Sequence, residues 1–168
     1  MVQSITARDK HPINGQFSGF DRAYLMAKKT LRKQVDDLAV AMQKLVRLKE
    51  AVQNDGYCTC VTCFQAGRPA TVHWKKCDGG HYISRNHQAT KVMEENIHPQ
   101  CKGCNLRSGK GDTLINVDYR KWMVDFYGEE FVQELEIMAR KPATHFGPDI
   151  EDEIKQVKAK CKELEKLL

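Results

Sequence analysis

No run of 18 apolar residues occurs in this 168-residue chain, so nothing in it reads as a membrane-spanning helix. The first residues also lack the apolar stretch of a secretory signal peptide. The chain is therefore expected to stay in the cytoplasm, with no membrane partner. Thiols remain reduced there, so paired cysteines read as metal ligands before disulfides. Acidic side chains are scarce between residues 64 and 110, where eight basic residues meet only Asp78, Glu94 and Glu95. A polyanion bound there would release counterions. The overall charge of +5 is moderate and fits nucleic acid without proving it.

Proline and glycine are missing from Asp21 to Gln53, and the pattern there is helical. Leu31, Val35, Leu38, Met42, Leu45 and Val52 fall on a 3–4 spacing, broken at Lys49 where an apolar residue is expected. Such a seam must bury itself against another surface, and Asn54-Asp55-Gly56 ends it. A second seam, Ile150, Ile154, Val157, Cys161, Leu164 and Leu168, predicts a helix over 149–167. The two helices are expected either to pack on each other or to pair across a two-fold axis. Between them, 117–140 reads as one helix interrupted at Gly128 or as two short ones. Its stripe of Tyr119, Trp122, Met123, Phe126, Phe131, Leu135 and Met138 reads as core before a base-stacking platform. Residues 1–19 show no period and read as a flexible arm.

The contents are otherwise ordinary for a soluble domain, with 41% hydrophobic and 29% charged residues. The central stretch of about 50 residues is too small to rely on apolar burial alone, so a structural metal is a natural staple. Two C-x2-C knuckles supply it: Cys60 and Cys63, then Cys101 and Cys104, with 37 residues between them. A two-residue gap lets one tight turn present both sulfurs to a tetrahedral zinc ion. Four thiolates close the coordination sphere, so this zinc is expected to be structural. Cys58 is also close to Cys60 and is the one ambiguity. Cys77 and Cys161 read as plain buried thiols.

Zinc does not explain the histidine and the asparagines. Hydrolysis of a phosphodiester needs a base for the attacking water and positive charge for the leaving oxygen. His81 follows Gly79 and Gly80 and opens an expected strand over 81–84; its neutral form is populated near pH 7. Asn105 directly follows the last thiolate, and its amide oxygen is a hard ligand suited to Mg²⁺. Asp78 can supply the carboxylate, with His98 as a rival. Asn96 opens the facing strand, 96–100, from which its amide can orient the His81 ring. Taken singly, Asn96 reads equally as a loop residue and Asn105 as a helix cap. Arg85, Arg107, Lys110, Lys75, Lys76 and Lys102 are expected to meet phosphates.

The order of C-x2-C, a glycine-preceded histidine, asparagine, and C-x2-C followed by asparagine resembles the HNH endonucleases. More closely, CVTC, DGGHY, NIHPQC, CKGCN and YRKWMVDFYGEEFVQELE resemble the NinG (Rap) family of lambdoid phage recombination endonucleases, from about Tyr57 to the C-terminus. The resemblance implies a ββα-metal fold, cleavage of branched DNA such as D-loops and Holliday junctions, and a bacterial host cell. The site also resembles that of phage endonuclease VII, a junction-resolving dimer. It implies Asn105 as metal ligand and His81 as general base. Asp78 stands three residues before the histidine, whereas many HNH proteins place an aspartate directly before it. The cysteine-rich N-terminal segment of lambdoid members is absent.

The resulting expectation is an α+β chain. A zinc-stapled ββα-metal (HNH) core at 56–115 would be flanked by a long helix for packing or dimerisation at 20–55 and a helical region at 116–168. It would act as a Mg²⁺- or Mn²⁺-dependent endonuclease on branched DNA, as a homodimer, with other recombination proteins as further partners. The rival reading is a non-catalytic zinc module that binds DNA or a protein and has no use for His81.

Overall fold

The computed structural model describes residues 19–142 and 149–168, with side chains for 31–142 and 149–168. The arm expected at 1–19 falls outside the described residues except for Gly19. The chain divides into two units, 1–32 and 33–168; the architecture below is that of the second. In order, the elements are α1 (Gly19–Gln53), β1 (Tyr57–Thr59), α2 (Val61–Gln65), β2 (Thr71–His73), β3 (Cys77–His81), β4 (Ile97–Cys101), α3 (Lys102–Gly109), α4 (Thr113–Tyr127), α5 (Glu129–Met138) and α6 (Ile150–Glu165). The class is α+β, as expected. Two small antiparallel sheets pair β1 with β2 and β3 with β4.

The two seams find each other within the chain. Val35, Leu38, Met42 and Leu45 of α1 form one buried cluster with Ile150, Ile154 and Cys161 of α6, joined by Ile97 at the start of β4. Side chains covered in this way are not available to a second copy. The break at Lys49 also has a cause: its ammonium turns out to Glu94, 2.6 Å away, while Leu48 takes the buried position.

The helical stretch after the knuckles is two helices. Gly128 separates α4 from α5 with φ +89°, a backbone state that side-chain-bearing residues rarely adopt. α4 begins four residues earlier than the apolar stripe suggests, because the Asp112 carboxylate caps the N–H groups of Leu114 and Ile115. Tyr119, Met123 and Leu135 are core, packed with Val61 of α2. Phe126, expected in that core, is 66% exposed and stacks on Trp122 with ring centroids 5.0 Å apart.

The hairpin departs from expectation at its strand ends. β3 ends at His81 rather than starting there, and Asn96 belongs to a single 3-10 turn, Glu94–Asn96, before β4. The glycine pair lies inside the strand because α1 crosses it at Gly79 and the Gln100 side chain fills the space beside Gly80. A Cβ on Gly79 would lie 2.6 Å from the Gln43 carbonyl oxygen and 2.7 Å from its Cα. Gly79→Ala should therefore push α1 off the hairpin and cost about 1–3 kcal/mol, read as a lowered thermal midpoint. Gly103→Ala, with no atom within 4 Å of the added carbon, should leave the midpoint unchanged or raise it.

Candidate metal centre and active-site cavity

Each cysteine knuckle sits where an extended segment turns into a helix. Cys60 is the N-cap of α2 and Cys101 the N-cap of α3, with Cys63 and Cys104 in the first turns. Helix N-termini favour negative charge, so both knuckles suit thiolates. The four sulfurs lie within 4.8 Å of one another; Cys63 Sγ is 3.5 Å from Cys104 Sγ and 3.9 Å from Cys101 Sγ. Burial and neighbouring thiols push the Cys63 and Cys101 thiols up. At Cys60 burial opposes ionisation, but hydrogen bonds from Thr62 and nearby backbone N–H groups outweigh it and hold the thiol below its ordinary value. Four sulfurs this close cannot share negative charge without a cation among them. The set is all sulfur with nearly all of it buried, which fits one zinc ion. Cys58 is outside the cluster: its thiol donates to the Arg47 carbonyl at 3.3 Å.

The knuckle at Cys101–Cys104 sets the position of α3. Asn105, one residue on, is interior to that helix and not its cap, and its Nδ2 donates to Asp78 Oδ2 at 3.1 Å. An amide and a carboxylate thus stand together on adjoining elements, with the amide nitrogen turned to Asp78. Asn105 also lines an open cavity of about 1030 Å³, whose wall includes His81, Gln43, Arg85, Ser108 and Lys110. Asp78 is not part of that wall and adjoins it through Asn105.

The His81 ring is held at Nε2, 2.9 Å from the Lys91 carbonyl oxygen. A carbonyl only accepts, so Nε2 carries the proton and Nδ1 keeps its lone pair. Burial pulls the pKa of His81 below the ordinary imidazole value, and the positive charges of Arg85 and Lys91 act in the same direction. The ring is therefore neutral near pH 7.

Asn96 does not touch His81. Its Oδ1 accepts from the Ile83 N–H at 2.7 Å, and its Nδ2 donates to the carbonyls of Ile83 and Thr90, both at 3.0 Å. It closes the loop that leads to Lys91, and so acts on the ring at one remove. A fully buried amide with three backbone partners is a loop staple.

His98 is no rival to Asp78. It lies opposite Gly80 in the hairpin, on the same face as Asp78, but both its nitrogens are engaged. The Tyr119 hydroxyl donates to the Gly80 carbonyl at 2.9 Å, so it accepts from His98 Nδ1 at 3.1 Å. Nε2 then accepts from the Tyr127 hydroxyl at 3.0 Å. Burial brings the His98 pKa down to about 3.

Of the basic residues, Arg85 and Lys110 face the cavity. Arg107 is drawn to the capping carboxylate of Asp112, 2.8 Å away. Lys75 stands over the Trp74 ring at 5.5 Å, and Lys76 and Lys102 are exposed away from the cavity wall. Arg120, which the sequence did not single out, lines the cavity but pairs with Glu129 and Glu136.

Two measurements follow. Cys60→Ser should lose the bound zinc and Cys58→Ser should keep it, read as metal content per chain by atomic emission. For His98, the folded pKa lies below the unfolded value, so the unfolded chain takes a proton that the native chain refuses. That stability is complete above about pH 6.5 and declines toward pH 3, by up to about 1.4 kcal/mol per pH unit. His98→Gln should flatten the fall in unfolding free energy between pH 6.5 and 5 relative to the parent.

Comparison with known proteins gives a family match. The family model described as Bacteriophage Lambda NinG protein covers residues 18–167. No curated protein matches, and no solved structure matches. The matched span takes in both knuckles, the hairpin, the cavity and α6, and the chain belongs to the bacteriophage Lambda NinG family.

Proposed function

We propose that the chain is a zinc-stapled endonuclease of the HNH type, dependent on Mg²⁺ or Mn²⁺, that cuts branched DNA recombination intermediates such as D-loops and Holliday junctions. One observation carries this reading: His81 and Asn105 open into the same cavity, with Asp78 against Asn105. The unit that bears them, hairpin β3–β4 followed by α3 and tied by the thiolate cluster, has the strand–strand–helix order of a ββα-metal core. Membership of a phage protein family supports a role in phage recombination, and hence branched DNA as the substrate class.

In this reading His81 takes the proton of the attacking water at Nδ1, the nitrogen left free by the Lys91 carbonyl. The Asn105 amide oxygen and the Asp78 carboxylate would hold the hard cation. Such a cation supplies positive charge against the phosphate and the departing 3′ oxygen. Arg85 and Lys110, on the cavity wall, would bind neighbouring phosphates and so set position rather than sequence. A dimer would bring two such sites to opposing strands of a junction. Since the α1 and α6 seams are covered within the chain, it would need another face.

His81→Ala should reduce Mg²⁺-dependent nicking of synthetic D-loops and four-way junctions by about 10²–10⁴-fold. Zinc content and DNA affinity should stay those of the parent. A parent protein that nicks no branched or linear DNA with either metal would instead favour the non-catalytic zinc module.

A further inference from the structure

α1 does more than bury a seam. Where it crosses the hairpin it is clamped: Arg47 donates to the Cys77 carbonyl at 2.7 Å and to the Gln43 carbonyl at 3.1 Å, and the Gln43 backbone sits in the space a side chain at Gly79 would fill. This fixes the Gln43 carboxamide beside the imidazole, with its Nε2 3.5 Å from His81 Nδ1. Gln43 also lines the cavity. Two helical turns earlier on the same face stands Asp36, which pairs with the buried ammonium of Lys91. Lys91 is the residue whose carbonyl receives His81 Nε2.

Both nitrogens of the ring are therefore governed from one helix. We propose that α1 is a positioning element of the active site: Gln43 holds the Nδ1 side of His81, and Asp36, through Lys91, fixes the carbonyl that holds Nε2. The inference rests on the reading of His81 as base. The Gln43 amide N–H donates to the Nδ1 lone pair and favours the neutral, base-competent ring. A water entering between them stays within reach of both. The other charged groups around the cavity and hairpin are accounted for. Arg85 and Lys91 are positive, Asp36 pairs with Lys91, and Asp78 is engaged by Asn105. Arg47 is bound to backbone carbonyls, and Arg120 is neutralised by Glu129 and Glu136.

Gln43→Glu tests this with little change of shape, by placing a carboxylate beside the imidazole. In the zinc-bound full chain without DNA, the His81 resonances should titrate about one pH unit higher than in the parent. The acid limb of the nicking pH profile should move with them. Gln43→Ala should lower kcat about tenfold with KM nearly unchanged, and Asp36→Asn should lower kcat in the same way with zinc retained. A His81 titration in Gln43→Glu that coincides with the parent's overturns the inference, whatever the nicking rates. A shifted titration in a protein whose parent form nicks nothing upholds the contact and removes the nuclease reading instead.

Discussion

Everything near the cavity depends on four sulfurs drawn within 4.8 Å of one another. They join the start of α2 to the point where β4 becomes α3, segments separated by most of the central stretch. The two strand pairs there are short, three and five residues each, and two-stranded ribbons of that length do not hold in water by themselves. A metal tie costs little chain and fixes direction as well as distance, because each knuckle sets the first turn of a helix. Asn105 inherits its position from this tie. One residue beyond Cys104, it is carried to Asp78 on the neighbouring strand.

A second constraint is the crossing of α1 over β3. Helix and strand approach so closely at Gly79 that no side chain fits. Elsewhere the α1 surface is ordinary core, meeting α6 along an apolar seam. The crossing turns a packing helix into one wall of the cavity. Gln43 and Arg47 lie on the side turned to the hairpin, while Leu38, Met42 and Leu45 lie in the seam shared with α6.

Much of this was legible in the residues. The knuckle spacing identified the four sulfurs, the 3–4 spacing found both long helices, and Gly128 marked the break between α4 and α5. The family resemblance read from the motifs agrees with the match over 18–167. The strand ends were harder, because β3 reads CDGGH and its two glycines carry no apolar alternation to fix register. β1 and β2 are too short to show any period. The partners of Asn96, three backbone groups in the loop above it, are tertiary contacts that no local pattern encodes. Gln43 was invisible for a different reason: on a helix it reads as one more polar position, and only the glycine it crosses gives it a neighbour.

The two histidines of the hairpin show how register decides chemistry. His81 pairs across from Ile97 and His98 from Gly80, so the rings project to opposite faces of the same ribbon. On one face the ring presents Nδ1, approached by the Gln43 amide at 3.5 Å, beside an open cavity. On the other, two tyrosines occupy both nitrogens, and the chain from Tyr127 through His98 and Tyr119 ends on the Gly80 carbonyl. Burial and two tyrosine partners keep His98 neutral and inert there, while Gln100 Oε1 on the same face is buried without a partner. The same chain steadies the backbone one residue before His81. Identical side chains thus divide into a candidate base and a fixture behind it, and a one-residue slip of β4 would carry His98 to the face of His81.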